Sequence, residues 1–177
     1  MRLSSLQLGA LHHKNLKTLI FQSGGLDAAV TRAAIGADLP ALEHLELWLG
    51  TPEYGGDTAV ADLEPLLTGT PFPSLRYLVL RDSEIADQIA AALAQSPILE
   101  RIRVLDLSLG TLGDEGAAAL LASPLVAGLE KLDIHHHYCS DAMIARLPQL
   151  GIEVDTSEQE EANEDDGQTW RYVAVGE

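Results

Sequence analysis

The chain has 177 residues, and because only 5% of them are aromatic, Leu, Ile, Val and Ala must supply the core of a single domain. It carries 27 acidic and 11 basic residues, a formal net charge of −16, which disfavours nucleic acid and anionic membranes because both attract basic surfaces. A basic partner would suit this charge, although acidity also simply keeps a protein soluble.

The pattern Leu-x-x-Leu-x-Leu, with Ile or Phe in some positions, recurs along the chain. Its six copies start at Leu3, Leu16, Leu42, Leu75, Ile102 and Leu129. The last two steps are 27 residues each, whereas the earlier steps are 13, 26 and 33. A period of about 20 to 29 residues with this pattern is the signature of leucine-rich repeats. The sequence therefore predicts a solenoid.

Each copy predicts a short strand, because alternation turns the leucines inward. Apolar periodicity between the copies predicts helices over 27–35, 62–67, 84–95, 114–122 and 141–147, and a last strand is expected at 152–154. Repeated strand and crossover helix gives parallel strands. The predicted fold is thus an α/β leucine-rich-repeat solenoid, a horseshoe arc of about six strands with the sheet on the concave face and helices on the convex face.

The residues that alternate with the inward leucines are predicted to line the concave sheet face. Trp48, Tyr77 and Arg81 fall on adjacent strands at similar heights, and these residue types are enriched at interface hot spots. Tyr54 lies in a loop extension that follows Trp48. The alternatives are that Trp48 packs only locally and that the loop is merely tolerated. The predicted partner-binding set is His44, Glu46, Trp48, Tyr54, Tyr77, Arg81, Asp106, Asp133 and His135.

The clustered histidines 135–137 with Cys139 are the one group that suggests a metal. Neighbouring side chains on a strand point to opposite faces, so a zinc site is not favoured. Asp106 and Asp133 lie on neighbouring predicted strands, where two close carboxylates can share a proton as in hydrolases, but Lys131 and Arg81 would neutralise them equally well.

Neither a nucleophile turn nor a phosphate-binding loop is present in the sequence. We therefore predict a protein-binding scaffold without catalytic residues, metal or cofactor. Its partner is a protein or peptide, not nucleic acid or membrane. The alternative is an enzyme or metal-binding protein that uses Asp106, Asp133, His135 and His137.

The C-terminal region changes character after the last predicted strand. Residues 155–166 contain seven acids and no base, which predicts a mobile loop. Residues 170–175 resume a strand-like alternation and are expected to fold back as a cap on the open sheet edge. The predicted division is a solenoid over 1–155, an acidic mobile loop over 156–168 and a C-terminal strand over 169–177. Before Leu3 no polar cap is visible, so that edge is expected to be exposed, dimeric or completed by further residues.

The single cysteine excludes an intramolecular disulfide and favours a reducing compartment. The N-terminus lacks the uninterrupted apolar stretch of a signal peptide, and no segment reaches the roughly 18 apolar residues that a membrane span needs. A cytoplasmic location is therefore predicted, and the oligomeric state is left open.

Two resemblances rest on particular segments. Residues 105–108, 112–117 and 129–134 resemble ribonuclease-inhibitor-type leucine-rich repeats, and residues 45–50, 54–57, 135–137 and 171–175 resemble an uncharacterised family of bacterial cytoplasmic proteins. The resemblance implies the horseshoe fold and a protein-binding role. One departure is the position where many such repeats place a ladder of Asn or Cys. It holds Gly24, Gly50, Ser83, Gly110 and His137 here.

Overall fold

The computed structural model describes residues 9–165 and 167–175, in which strands alternate with helices. One sheet contains β1 Thr18–Phe21, β2 His44–Gly50, β3 Tyr77–Ser83, β4 Val104–Asp106, β5 Lys131–Asp133 and β6 Glu153–Asp155. Its strands are all parallel and lie in sequence order. The predicted α/β leucine-rich-repeat solenoid is confirmed. The copy of the pattern that starts at Leu3 lies outside the described residues.

The helices follow the strands as predicted, with shifts of a few residues at their ends. They are α1 Ala28–Ile35, α2 Val60–Leu67, α3 Ala86–Leu93, α4 Asp114–Ala122 and α5 Asp141–Ile144. We call each strand with the loop and helix that follow it one coil. None of the helices in the described ranges is long and apolar enough to cross a membrane.

The leucines of the repeat form one continuous ladder. Leu45, Leu78, Leu105 and Leu132 are cross-strand neighbours, and all four are fully buried. The core is the layer between this ladder and the inner faces of the helices. Because a single coil cannot enclose its own leucines, stability comes from stacking the coils. The same register fixes which outward side chains become neighbours on the concave face.

The coils stack closely at the positions where many leucine-rich repeats have an asparagine ladder and this chain does not. Gly50 has φ +66°, and a Cβ atom there would lie 1.9 Å from the carbonyl oxygen of Gly24. Glycine is thus required by both backbone conformation and space. At the corresponding position, the buried His137 ring bonds the Thr156 carbonyl at 3.0 Å. His137 therefore supplies from this position a side-chain bond that the glycines cannot make.

The backbone turns sharply near the strand end in the coils of β3, β4 and β5. Asp82, Leu109 and His136 are spaced 27 residues apart, and all have positive φ values, of 55°, 63° and 54°. Such left-handed backbone is uncommon for residues other than glycine. These three residues form a row across the stack, on the edge of the solenoid where the strands end. We call this edge the rim.

The C-terminal residues do not cap the sheet. β7 Asn163–Asp165 and β8 Gln168–Trp170 form a separate antiparallel hairpin, and β6 is the last strand of the described sheet. Residues 171–175, which we call the strap, then run back along the rim. The expectation of a strand added to the open edge is therefore wrong in its position, because the strap bonds groups in two loops and at the end of β3 rather than β6.

Three backbone amides of the strap donate to three different coils. The Tyr172 amide donates to the Tyr138 hydroxyl at 2.9 Å, the Ala174 amide to the Leu109 carbonyl at 2.8 Å and the Val175 amide to the Asp82 carboxylate at 3.0 Å. The strap thus crosses the coils of β5, β4 and β3 in turn.

The first part of the predicted mobile loop is bonded to the coil of β5. The Glu160 amide donates to the His137 carbonyl at 2.8 Å, and the Gln159 side-chain amide donates to the Cys139 carbonyl at 2.9 Å. This part of the loop therefore packs along the coil of β5 and is not a free linker. The three-part division of the chain stays a prediction.

Candidate functional site

The structure brings together the outward side chains of β2, β3 and β4 on the concave face. Trp48 and Arg81 are directly opposite each other across β2 and β3, as are His44 and Tyr77. Asp106 follows on β4, opposite Val79 of β3. The register of the leucine ladder therefore places six of the nine predicted binding residues in one patch. We call it the concave cluster: His44, Glu46, Trp48, Tyr77, Arg81 and Asp106.

Arg81 lies at the centre of the concave cluster. Its guanidinium carbon is 5.5 Å from the centre of the Trp48 ring, a cation–π distance. The same guanidinium forms an ion pair with Asp106, whose other oxygen accepts from the Ser108 amide at 2.9 Å. Because Asp106 is buried, this pairing supplies the charge balance that an isolated carboxylate would lack.

Glu46 joins the aromatic members of the cluster. The Trp48 indole donates to one of its oxygens at 2.6 Å, and the His44 ring lies 3.1 Å from the other. Burial alone raises the pKa of Glu46, but the bonds from Trp48 and His44 and the charge of Arg81 outweigh it and lower that pKa. The His44 ring also stacks on Tyr77 with 5.8 Å between ring centres. Glu46 is therefore a carboxylate at neutral pH.

The concave cluster exposes aromatic surface, and its charged groups form ion pairs with one another, although the Arg81 Nε has no hydrogen-bond partner among the described residues. Tyr77 is 44% exposed, whereas Trp48, Glu46 and Arg81 are partly buried. Ile20 on β1, 50% exposed, extends the apolar part of the face. A surface of this kind presents aromatic anchors without unpaired charges beneath them.

A second group of charges lies on β5 and β6. His135 Nδ1 is 2.7 Å from an oxygen of Asp133, and Lys131 Nζ lies 3.3 Å from the other oxygen and 3.9 Å from Asp155. Asp133, His135 and Asp155 place three ligand atoms within 4.8 Å of one another, the one such set in the described ranges. The Lys131 ammonium already supplies a cation to these carboxylates. The arrangement is an ion-pair cluster, and it resembles a cation site only in the distances between its three ligand atoms.

The predicted pair of Asp106 and Asp133 has separate partners. Asp106 pairs with Arg81, and Asp133 pairs with Lys131 and His135. The strand spacing does bring the two residues into register. Their cations were identified in the sequence as the neutralising alternative, and the geometry agrees with that alternative.

His137 has a structural position and does not join His135. Its Nδ1 accepts from the Cys139 amide at 3.1 Å, and its Nε2 donates to the Thr156 carbonyl. Burial lowers the pKa of His137, which keeps the ring neutral. Burial likewise raises the pKa of the Cys139 thiol to about 12, so it is not a thiolate near pH 7. The alternative that grouped His137 with Asp106, Asp133 and His135 is wrong for His137.

Tyr54 belongs to a different surface from Trp48. It lines a groove of about 890 Å³ on the rim, together with Trp170 and Tyr172, and Trp48 is not part of its lining. The sequence drew attention to the aromatic residues near the C-terminus only as a capping strand. Their role as a groove wall depends on the path of the strap, which the alternation of residues 170–175 does not reveal.

Comparisons with known proteins agree with the fold. A family model described as Leucine Rich repeat matches residues 73–94 and 102–121. No curated protein matches the chain. A crystal structure of a protein from Bacteroides fragilis is similar, with 34% sequence identity and a TM-score of 0.82 over 86% of this chain. The match covers 44% of the Bacteroides chain, so the present chain spans less than half of its length.

This match fits the predicted resemblance to bacterial repeat proteins. The family model covers two consecutive repeats, those of β3 with α3 and β4 with α4. The buried ladder and the parallel register carry the same repeat through the other coils. The chain therefore has the fold of a leucine-rich-repeat solenoid.

Proposed function

We propose that the chain is a protein-binding scaffold whose concave sheet face receives a protein or peptide partner. The observation that carries the proposal is the concave cluster. In it Arg81 lies over Trp48, and Tyr77 stacks on His44, which Glu46 links to Trp48. Solenoid repeat proteins use their extended concave surfaces for binding. A bacterial cytoplasmic setting is part of the same proposal, and the unpaired, buried Cys139 is compatible with it.

The cluster is suited to binding because it is already organised. Association loses affinity when side chains must be ordered or polar groups stripped of partners. Here the indole of Trp48 and the guanidinium of Arg81 have partners within the chain. These two groups therefore need no new hydrogen-bond partner when a binding protein covers them.

Binding is favoured over catalysis by the state of the polar groups on the face. The carboxylates of Asp106 and Asp133 are held by cations of the same sheet. The thiol of Cys139 is buried and protonated near pH 7. These groups stabilise the face, and none of them is poised as a free nucleophile or base.

The test is affinity capture from the source organism with the immobilised chain, followed by titration of each captured protein after purification. Trp48→Ala and Tyr77→Ala should weaken binding of the same protein at least about 30-fold, the effect expected of hot-spot truncation. Arg146→Ala, an exposed change beyond α5, is the matched control and should leave binding intact. A partner that binds the two concave variants as well as the wild type would refute the proposal.

A further inference from the structure

The rim groove lies outside the concave cluster and has three walls from separate parts of the chain. One wall is the loop after β2 with Thr51, Glu53 and Tyr54, and a second is the start of α3 with the residues before it. The third is residues 169–173, which end β8 and begin the strap. Its volume of about 890 Å³ is in the range of ligand-binding clefts.

Exposed aromatic side chains are concentrated in this groove. Tyr54 is 54% exposed, Trp170 48% and Tyr172 56%, and all three line it. They are three of the five large hydrophobic side chains that are exposed in the described ranges. Such a concentration of apolar surface marks an interaction site more often than scattered exposure does.

The charged lining is acidic. Glu53 and Glu84 both line the groove, and neither has a salt-bridge partner within 4.0 Å in the described part of the chain. Burial raises the pKa of Glu84, and the nearby charge of Glu53 raises it further, which shows that the two carboxylates repel each other. The basic residue of the lining, Arg171, is already engaged, since it donates to Asp87 at 3.1 Å and to the Thr111 carbonyl at 3.2 Å.

Thr51 also lines the groove. It is only 6% exposed, and its Oγ1 has no hydrogen-bond partner among the residues that the structure describes. With almost no accessible surface, this hydroxyl is part of the groove wall and offers no free donor to a ligand.

We propose that the rim groove binds a lysine or arginine side chain of a basic peptide segment. Glu53 and Glu84 balance its charge. The aromatic walls of Tyr54, Trp170 and Tyr172 cover its methylene stem and add cation–π attraction. A net charge of −16 draws basic segments toward the molecule, and the groove gives one such residue a specific position.

The proposal does not depend on the concave cluster, because none of its six residues lines the groove. The two tryptophans of the chain, Trp48 and Trp170, therefore report the two surfaces separately. Blocked pentapeptides with a central Arg or Lys are titrated while the two indole N–H resonances are followed by NMR. The matched control is the same peptide with citrulline, the neutral isostere of arginine.

The Arg and Lys peptides should shift the Trp170 resonance and leave that of Trp48 in place, and citrulline should bind at least about tenfold more weakly. The double variant Glu53→Gln with Glu84→Gln should weaken binding of the Arg peptide about tenfold as well. Glu115→Gln, an exposed acidic position on α4 outside the groove, should bind like the wild type.

Equal binding of the Arg and citrulline peptides, undiminished binding by the double variant, or a shift of Trp48 in place of Trp170 would each overturn the proposal. Unchanged melting temperatures of the Gln variants show that loss of binding is local, because these exposed side chains retain their shape. The two proposals can fail separately. If Trp48→Ala no longer captures a protein, this concerns the concave face only, and the peptide titration of the rim groove is unaffected.

Discussion

Asp82, which accepts one of the strap bonds, allows a test of how a buried carboxylate affects stability. It is fully buried with φ +55°, its Oδ1 accepts from the Val175 amide at 3.0 Å, and its Oδ2 has no partner among the described residues. Burial raises its pKa from 3.8 to about 6, against the opposing effects of the Val175 bond and the charge of His136. The native state thus holds this proton more tightly than the unfolded chain does. For such an acid the free energy of unfolding falls as pH rises from about 4 to 6, and the full penalty persists above pH 6.

The penalty follows from the shift in pKa. At 1.36 kcal/mol per unit, ionised Asp82 destabilises the fold by about 3 kcal/mol at pH 7.5 and by about 1.5 kcal/mol at pH 5. Asp82→Asn removes the charge, keeps the acceptor for Val175 and tolerates the left-handed backbone. Its unpaired amide costs about 1 kcal/mol or more, so the net gain at pH 7.5 is about 1–2 kcal/mol.

The assay is urea unfolding followed by circular dichroism at pH 5, 6 and 7.5. The stability difference between Asp82→Asn and the wild type should be about 1.5 kcal/mol larger at pH 7.5 than at pH 5, because the cost of the unpaired amide does not change with pH. Glu115→Gln is the exposed control and should show no such change. If the stability difference between Asp82→Asn and the wild type is the same at pH 5 and pH 7.5, the reasoning that ionised Asp82 destabilises the fold is refuted.

Three further results are expected. Leu105→Ala should lower the free energy of unfolding by about 2–5 kcal/mol in urea, since it opens a cavity in the leucine ladder; a loss below 1 kcal/mol would contradict that packing. Gly50→Ala should lower the melting temperature far more than Gly55→Ala, because both have positive φ but only a Cβ at Gly50 meets backbone; equal effects would argue against the close stacking of the coils. Arg171→Ala should lower the melting temperature by several degrees through loss of its bonds to Asp87 and Thr111, whereas an unchanged value would show that the strap is not anchored there.

The leucine positions were enough to predict the fold, because a single period determines strand, turn and helix together. Leu45 and Leu78 could be assigned to the core from their spacing alone, and their register then placed Trp48 beside Arg81. The pairing within the concave cluster follows from this register. Its charge balance was visible in the sequence only as a set of opposite charges on neighbouring strands.

The path of the C-terminal residues could not be predicted in the same way. Alternation in residues 170–175 is typical of a strand, but their partners lie up to 93 residues earlier in the chain and belong to three different coils. No local pattern encodes such bonds. His137 was likewise grouped with its histidine neighbours, because sequence spacing does not show that its ring is enclosed between two backbone groups.

The strap changes how this stack should unfold. In a repeat protein each unit contacts only its neighbours, so the ends can fray one coil at a time. Here one segment is bonded to the coils of β3, β4 and β5 together, through Asp82, Leu109 and Tyr138. The last coils therefore cannot open singly without releasing bonds to the middle of the stack. Hydrogen exchange in these coils should share one opening free energy, and closure of the strap adds long-range contacts that place it late in folding.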